Sequence, residues 1–150
     1  MSPDQRYGQE PLGGRSRALV TGVTGFLGGH LARALRARGI SVVGTGRRPG
    51  PAVDAVVDLS RPDALSPHLD ADTFVFHMAG PADVRASVDD PIQDFDANLR
   101  QTVLVLDAVR SAGAGLLLPS TGSVYGSDAR LPVCETAATG PVSPYAAAKL

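Results

Sequence analysis

The sequence is short of several residue types, and each shortage excludes something. It has one cysteine, Cys134, and no tryptophan. A lone cysteine rules out a disulfide framework and a cysteine metal site, so no metal is expected. No apolar run approaches the ~18 residues a membrane span needs. The net charge of -1 leaves no electrostatic footprint for nucleic acid or an anionic membrane surface. Residues 1–16, "MSPDQRYGQEPLGGRS", lack the apolar stretch of a signal peptide and read as a disordered tail. These absences together point to a reducing, cytoplasmic setting. Lysine is scarcest of the basic residues: Lys149 stands alone among arginines. Its position, four residues after Tyr145, asks for a reason.

What is present is an alternation of apolar runs and helical patterns. The runs "RALVTG" (17–22), "ISVVGT" (40–45), "VDAVVDL" (53–59), "DTFVFHMAG" (72–80) and "GLLLPS" (115–120) are continuously apolar. They read as buried strands. Between them, "FLGGHLARALRARG" (26–39) has Leu27, Leu31, Ala34, Leu35 and Arg38 at helical spacing, with Gly39 as a stop. Residues 61–69 suggest a short polar helix or turn. From Pro91, the residues Ile92, Phe95, Leu99, Thr102, Val103, Leu106 and Val109 repeat at three and four and predict a long amphipathic helix. Ser143 and Pro144 open a last helix as N-cap and first residue. Strands that are apolar throughout and separated by helices imply an α/β fold, a doubly wound Rossmann-type parallel sheet over residues 17–150.

The stretch "TGVTGFLG" follows the first strand. Gly22, Gly25 and Gly28 stand with two residues between each, a departure from G-x-G-x-x-G. Glycine permits a tight turn and close approach of backbone to a pyrophosphate, and a helix N-terminus offers free N–H groups. A strand-to-helix turn without a ligand is the plainer reading; the position directly after the first strand favours binding. After the second strand comes "TGRRPG", with no carboxylate until Asp54. Arg47 and Arg48 suit the 2′-phosphate of NADP better than the bare ribose of NAD, unless they form only a solvated turn. NADP is therefore favoured, with NAD the other possibility.

Tyr145 and Lys149, at i and i+4 of a helix, share a face. A phenol is a poor base at neutral pH, and a nearby ammonium stabilises its phenolate. Alone, such a pair is as readily an accident of the surface. Thr121 and Ser123 lie beyond the fifth strand, where open α/β sheets bind ligands. Either could meet a substrate oxygen, or cap a turn; for Ser123 the cap is the better reading. His77 reads as a satisfied core histidine.

"TGVTGFLG", "HMAG", "DANLRQT", "STGSVYG" and "SPYAAAK" occur in that order. With them the chain, from residue 17 onward, resembles the extended short-chain dehydrogenase/reductases of the NAD-dependent epimerase/dehydratase group acting on nucleotide sugars. The resemblance implies a triad of Thr121, Tyr145 and Lys149. Tyr145 would move the proton of a sugar hydroxyl, and Lys149 would hold the nicotinamide ribose and lower the Tyr145 pKa. It implies further that Phe26 and Leu27 meet the pyrophosphate through their backbone, and that Asp58 and Leu59 contact adenine. Ala79 and Gly80 would pass under the cofactor, and Asn98 would stabilise the site's backbone. Related dehydratases carry an acid just after the active-site Thr; here Gly122 and Ser123 stand there. A 4-epimerase and an NADPH-dependent 4-keto reductase remain, and "ADVRASVDDP" (82–91) looks like the epimerase branch. A non-catalytic dinucleotide sensor is the alternative of another class. The family's further strand and substrate region are absent, so a homodimer is plausible only for a full-length form and the 150 residues alone are expected to turn over little or nothing.

Overall fold

The computed structural model describes residues 12–127 and 129–150. Five parallel strands form one sheet: β1 (Arg17–Thr21), β2 (Ser41–Gly46), β3 (Ala55–Val56), β4 (Thr73–His77) and β5 (Gly115–Leu117), in the order β3-β2-β1-β4-β5. Ala18, Leu19 and Val20 on the central strand are wholly buried. Their alternation explains why the runs are apolar throughout: each face of the sheet has its own core. Leu19 and Val75 join Val105, Ala108 and Val109 on one side. Ala18, Val20 and Phe76 join Ala32 and Leu35 on the other. Helices α1 (Phe26–Ala37) and α4 (Gln101–Ala112) supply those covers. The expected doubly wound sheet is the observed one.

The strands are shorter than the apolar runs. Predicted at 53–59, 72–80 and 115–120, they are observed as two, five and three residues. Their carboxyl-terminal residues turn out of the ladder to form loops above the sheet. The short polar helix or turn expected at 61–69 is a single 3₁₀ turn, Ser66–His68. Helix α2 (Val84–Asp89) has no counterpart in the sequence-derived elements; Asp83 caps it by accepting the Ala86 N–H at 3.0 Å.

Two corrections concern packing. Of the expected tail, residues 1–11 lie outside the described residues; of the rest, Leu12 is packed while Gly13, Gly14 and Ser16 are exposed. Leu12 is 3% exposed within the α1-side core, and Ser16 N–H donates to Asp72 at 3.0 Å. An apolar side chain beside an open sheet face gains more by burial than a polar context suggests. The second correction is the long helix. It runs as α3 (Pro91–Asp94), a π-helical stretch (Phe95–Arg100) and α4. Most of its apolar stripe faces outward: Ile92 is 71% and Val103 53% exposed, with Phe95, Leu99 and Leu106 also exposed, while Val109 is buried. The inward face carries Asp94, Asn98, Val105, Ala108 and Val109.

Candidate functional site

The central strand and its neighbours end level. Thr21 pairs in register with Thr45 of β2 and with His77 of β4. From β1 the chain passes to β2 on one side, and β4 lies on the other. The crevice between them is the switch point where such sheets bind ligands. A cleft of about 620 Å³ opens there.

Its floor is the glycine loop. Gly22 has φ +67°, and a Cβ there would sit 2.8 Å from Ala79 Cα, so this turn and the β4 exit require glycine. Gly28 is buried on the first turn of α1, where a Cβ would collide with the Gly22 carbonyl. The helix thus rests directly on the loop, its N-terminal N–H groups presented above. Gly25 stands at the N-cap without a side-chain cap. Phe26 and Leu27, the first residues of α1, are exposed at 78% and 63%.

One wall descends from β2 and β3. Arg47 lines the cleft, while Arg48 is exposed beside it. Asp54, the first carboxylate after the arginines, is engaged elsewhere: it accepts from Arg36 at 2.5 Å and from the Gly44 N–H at 2.7 Å. Leu59 lines the cleft. Asp58 is exposed, and its carboxylate accepts from Ser60 N–H and Oγ, which hold its pKa below the usual carboxylate range.

The other wall is β4 and the helices after it. Ala79 and Gly80 line the cleft, and Gly80 has φ +137°. A Cβ on Gly80 would lie 2.7 Å from Asn98 Oδ1 and 3.7 Å from Lys149 Nζ. Gly80, Asn98 and Lys149 therefore meet at one corner. Asn98 stands behind the wall, 1% exposed, donating to Asp94 Oδ1 at 2.8 Å. His77 is buried and bonded to Thr21 Oγ1 at 2.9 Å, as expected of a core histidine. Burial, with the Lys149 charge, pushes its pKa down to about 4.

Helix α5 (Pro144–Ala148) brings in the tyrosine and lysine. Ser143 caps it by accepting the Ala146 N–H at 3.2 Å, as the sequence implied. Tyr145 is buried, and its backbone N–H donates to Ser87 Oγ at 3.2 Å; the Ser87 hydroxyl donates to Val84 O at 2.7 Å. Lys149 is half-buried, and that burial lowers its pKa while Asp94 opposes the fall. The Thr121 hydroxyl accepts the Ser123 N–H at 3.2 Å and donates to Ser123 Oγ at 3.3 Å. The capping role expected of Ser123 thus belongs to Thr121, at the head of the 3₁₀ turn Gly122–Tyr125, against which α5 packs.

Gly22, Gly25, Arg47, Leu59, Ala79 and Gly80 thus share the cleft surface; Phe26, Leu27, Gly28, Arg48, Asp58, Asn98, Thr121, Tyr145 and Lys149 do not line it. Three residues went unnoticed in the sequence: Thr21, Ser87 and Asp94. Ser87 and Asp94 line the cleft and are buried polar groups. The signal for Asp94 was its place four residues before Asn98; for Ser87 there was none without α2.

The chain matches the NAD dependent epimerase/dehydratase family over residues 18–150. It is similar to the UDP-glucose 4-epimerase of Mycolicibacterium smegmatis, 34% identical over 89% of this chain and 48% of that one. Among solved structures, the UDP-glucose 4-epimerase of Thermus thermophilus in complex with NAD superposes with a TM-score of 0.78 at 35% identity, over 89% of this chain and 47% of that one. The Brucella ovis UDP-glucose 4-epimerase in complex with NAD gives 0.83 at 30%, over 89% and 44%. The chain spans about half the length of the curated relatives it matches.

Proposed function

Since the chain belongs to the NAD dependent epimerase/dehydratase family, we propose that its cleft binds a nicotinamide dinucleotide and serves a nucleotide-sugar 4-epimerase. The observation that carries the reading is the corner at Gly80. There the only lysine of the chain, at the C-cap of the short helix that carries Tyr145, comes close to Gly80 of a glycine-floored cleft.

The residues fit the dinucleotide. Gly22 and Gly28 let the loop turn against Ala79 and the helix sit directly on the loop, and the N–H groups at Phe26 and Leu27 suit a pyrophosphate. Asp58 and Leu59, at the far end of the cleft, would flank the adenine. Arg47 on the wall, with Arg48 beside it, supports a 2′-phosphate and so NADP; the two neighbours named above hold NAD. When bound, the nicotinamide would accept and return a hydride.

The chain's own groups supply the rest. Tyr145 would take the proton from a sugar hydroxyl and later give it back, as general base and then acid. Lys149 would lower the cost of the phenolate by its charge and hold the ribose. Thr121 would complete the triad, its hydroxyl turning from Ser123 toward substrate. Ala79 and Gly80 would form the surface beneath the ring, with Asn98 behind them. UDP-sugars are the substrate class that the relatives' names support.

The Arg47 wall specifically favours a second reading, a reductase that consumes NADPH. Replacing Tyr145 by Phe in an enzyme carrying this chain at full length tests both against a sensor. A rate loss of at least ~100-fold with dinucleotide affinity unchanged supports catalysis; an unchanged rate overturns it. Oxidised nucleotide retained through purification supports the epimerase, and an empty site preferring NADPH supports the reductase.

The outward stripe on α3 and α4 supports one further part of the reading, that a full-length form is a homodimer through these helices.

A further inference from the structure

The corner at Gly80 holds polar groups that the triad does not use. Asp94 and Asn98, one helical turn apart, are 5% and 1% exposed. The Asn98 amide donates to Asp94 Oδ1. This leaves Asp94 Oδ2 and Asn98 Oδ1, both buried and both without a hydrogen-bond partner. Each can only accept. Buried polar atoms are nearly always satisfied, so two orphaned acceptors side by side call for a donor. A donor of suitable chemistry at this corner is the Lys149 ammonium, with three hydrogens and no accepting lone pair. It shares the Gly80 corner with Asn98 Oδ1.

Helix α5 packs against α2, α3, the π-helical stretch and the 3₁₀ turn at 122–125. These carry Arg85 and Asp89, Asp94, Asp96 and Arg100, and Tyr125 respectively; α5 itself carries Tyr145, β4 presents His77, and the Leu150 carboxylate follows directly. Asp94 is the buried acid of this set. His77, held neutral by burial, brings no opposing charge near pH 7.

We propose that Asp94 is a positioning residue for Lys149: its carboxylate, steered by the Asn98 amide, is the counter-ion that keeps the lysine charged and aimed at the Gly80 corner. The proposal rests on the role given to Lys149 above. Burial favours a neutral amine, and a neutral amine cannot stabilise a phenolate. Asp94 acts against that loss, in agreement with the attraction it exerts on the ammonium.

Because Lys149 is the only lysine, lysine labelled with ¹⁵N gives this chain a single side-chain resonance. Its titration is measured in the wild type, in Asp94→Asn and in Asp89→Asn, an exposed acid on α2. Asp94→Asn is expected to lower the lysine midpoint by about 1–3 pH units, the usual effect of a close opposite charge, with Asp89→Asn moving it much less. An unmoved midpoint in a folded Asp94→Asn chain overturns the proposal. Should that variant not fold, the wild type decides: the Asp94 carboxyl carbon is expected to show a second step at the lysine midpoint, and a single step overturns the proposal. A lowered midpoint together with a fully active Tyr145→Phe enzyme removes the catalytic reading and leaves the ion pair standing. An unmoved midpoint with an inactive Tyr145→Phe enzyme does the reverse.

Discussion

Thr21 Oγ1 accepts the Ala79 N–H at 3.0 Å and lies 2.9 Å from His77 Nδ1. With one proton and two lone pairs, the hydroxyl can donate to Nδ1 or accept from it, according to the His77 tautomer. The histidine pKa is about 4 in the fold and about 6.5 in the unfolded chain. Between those values the unfolded chain binds more protons, so acid favours unfolding there. Stability is expected to fall as pH drops from about 6.5 to about 4 and to level off below, a loss of order 3 kcal/mol from this residue. Urea denaturation from pH 7.5 to 4 measures it. His77→Gln should be less stable at neutral pH and show a flatter dependence; an equal slope in both would mean that the histidine is not the sensor.

At the scale of elements, α1 shows how closely a helix can sit on a loop. Gly28, Gly29, Ala32 and Leu35 form its buried face, while Ala34 and Leu27 of the predicted stripe are exposed. The sequence reading counted large apolar residues and so missed a face made of small ones. Gly28→Ala puts a methyl group into the Gly22 carbonyl, and α1 must lift. The expected cost is about 1–3 kcal/mol, as for other overpacking. Dinucleotide affinity should fall further than stability, because the N–H groups move with the helix. Calorimetric binding together with thermal melting checks this; equal affinity in the variant would detach the glycine loop from binding.

The same scale explains what was legible. Alternation of apolar runs with helical patterns sufficed for the sheet and its order class, because both faces of every central strand needed burial. It could not show the facing of the helix from Pro91. Two stripes run along that helix, one apolar and one mixed, and periodicity selects the apolar one. Asp94 and Asn98 are inward because the cleft wall needs polar groups, a requirement that exists only once β4 and α5 are in place. Likewise the turn cap expected of Ser123 falls to Thr121, since which hydroxyl caps a turn depends on backbone angles that the sequence does not display. Tyr145 and Lys149 were legible as a pair, and Ser87, which accepts the Tyr145 N–H, was not.

For the whole molecule, two cores close both faces of the sheet, and yet a row of apolar side chains stays outside. Ile92, Phe95, Leu99, Val103 and Leu106 run along the outer face of α3, the π-helical stretch and α4. A contiguous apolar row on a surface marks a contact. A second copy offers the same row to the first, which is the self-complementary arrangement of two-fold dimers. Helix-on-helix packing of this kind would bury the row from both chains at once. Val103→Glu with Leu106→Glu places two carboxylates in it, whose desolvation a dimer could not offset. In a full-length form, sedimentation at micromolar concentration is expected to give a dimer for the wild type and a monomer for the double variant. The inward residues of the same helices are untouched, so the variant should retain its fold. A wild type that sediments as a monomer would leave the row to some other occupant.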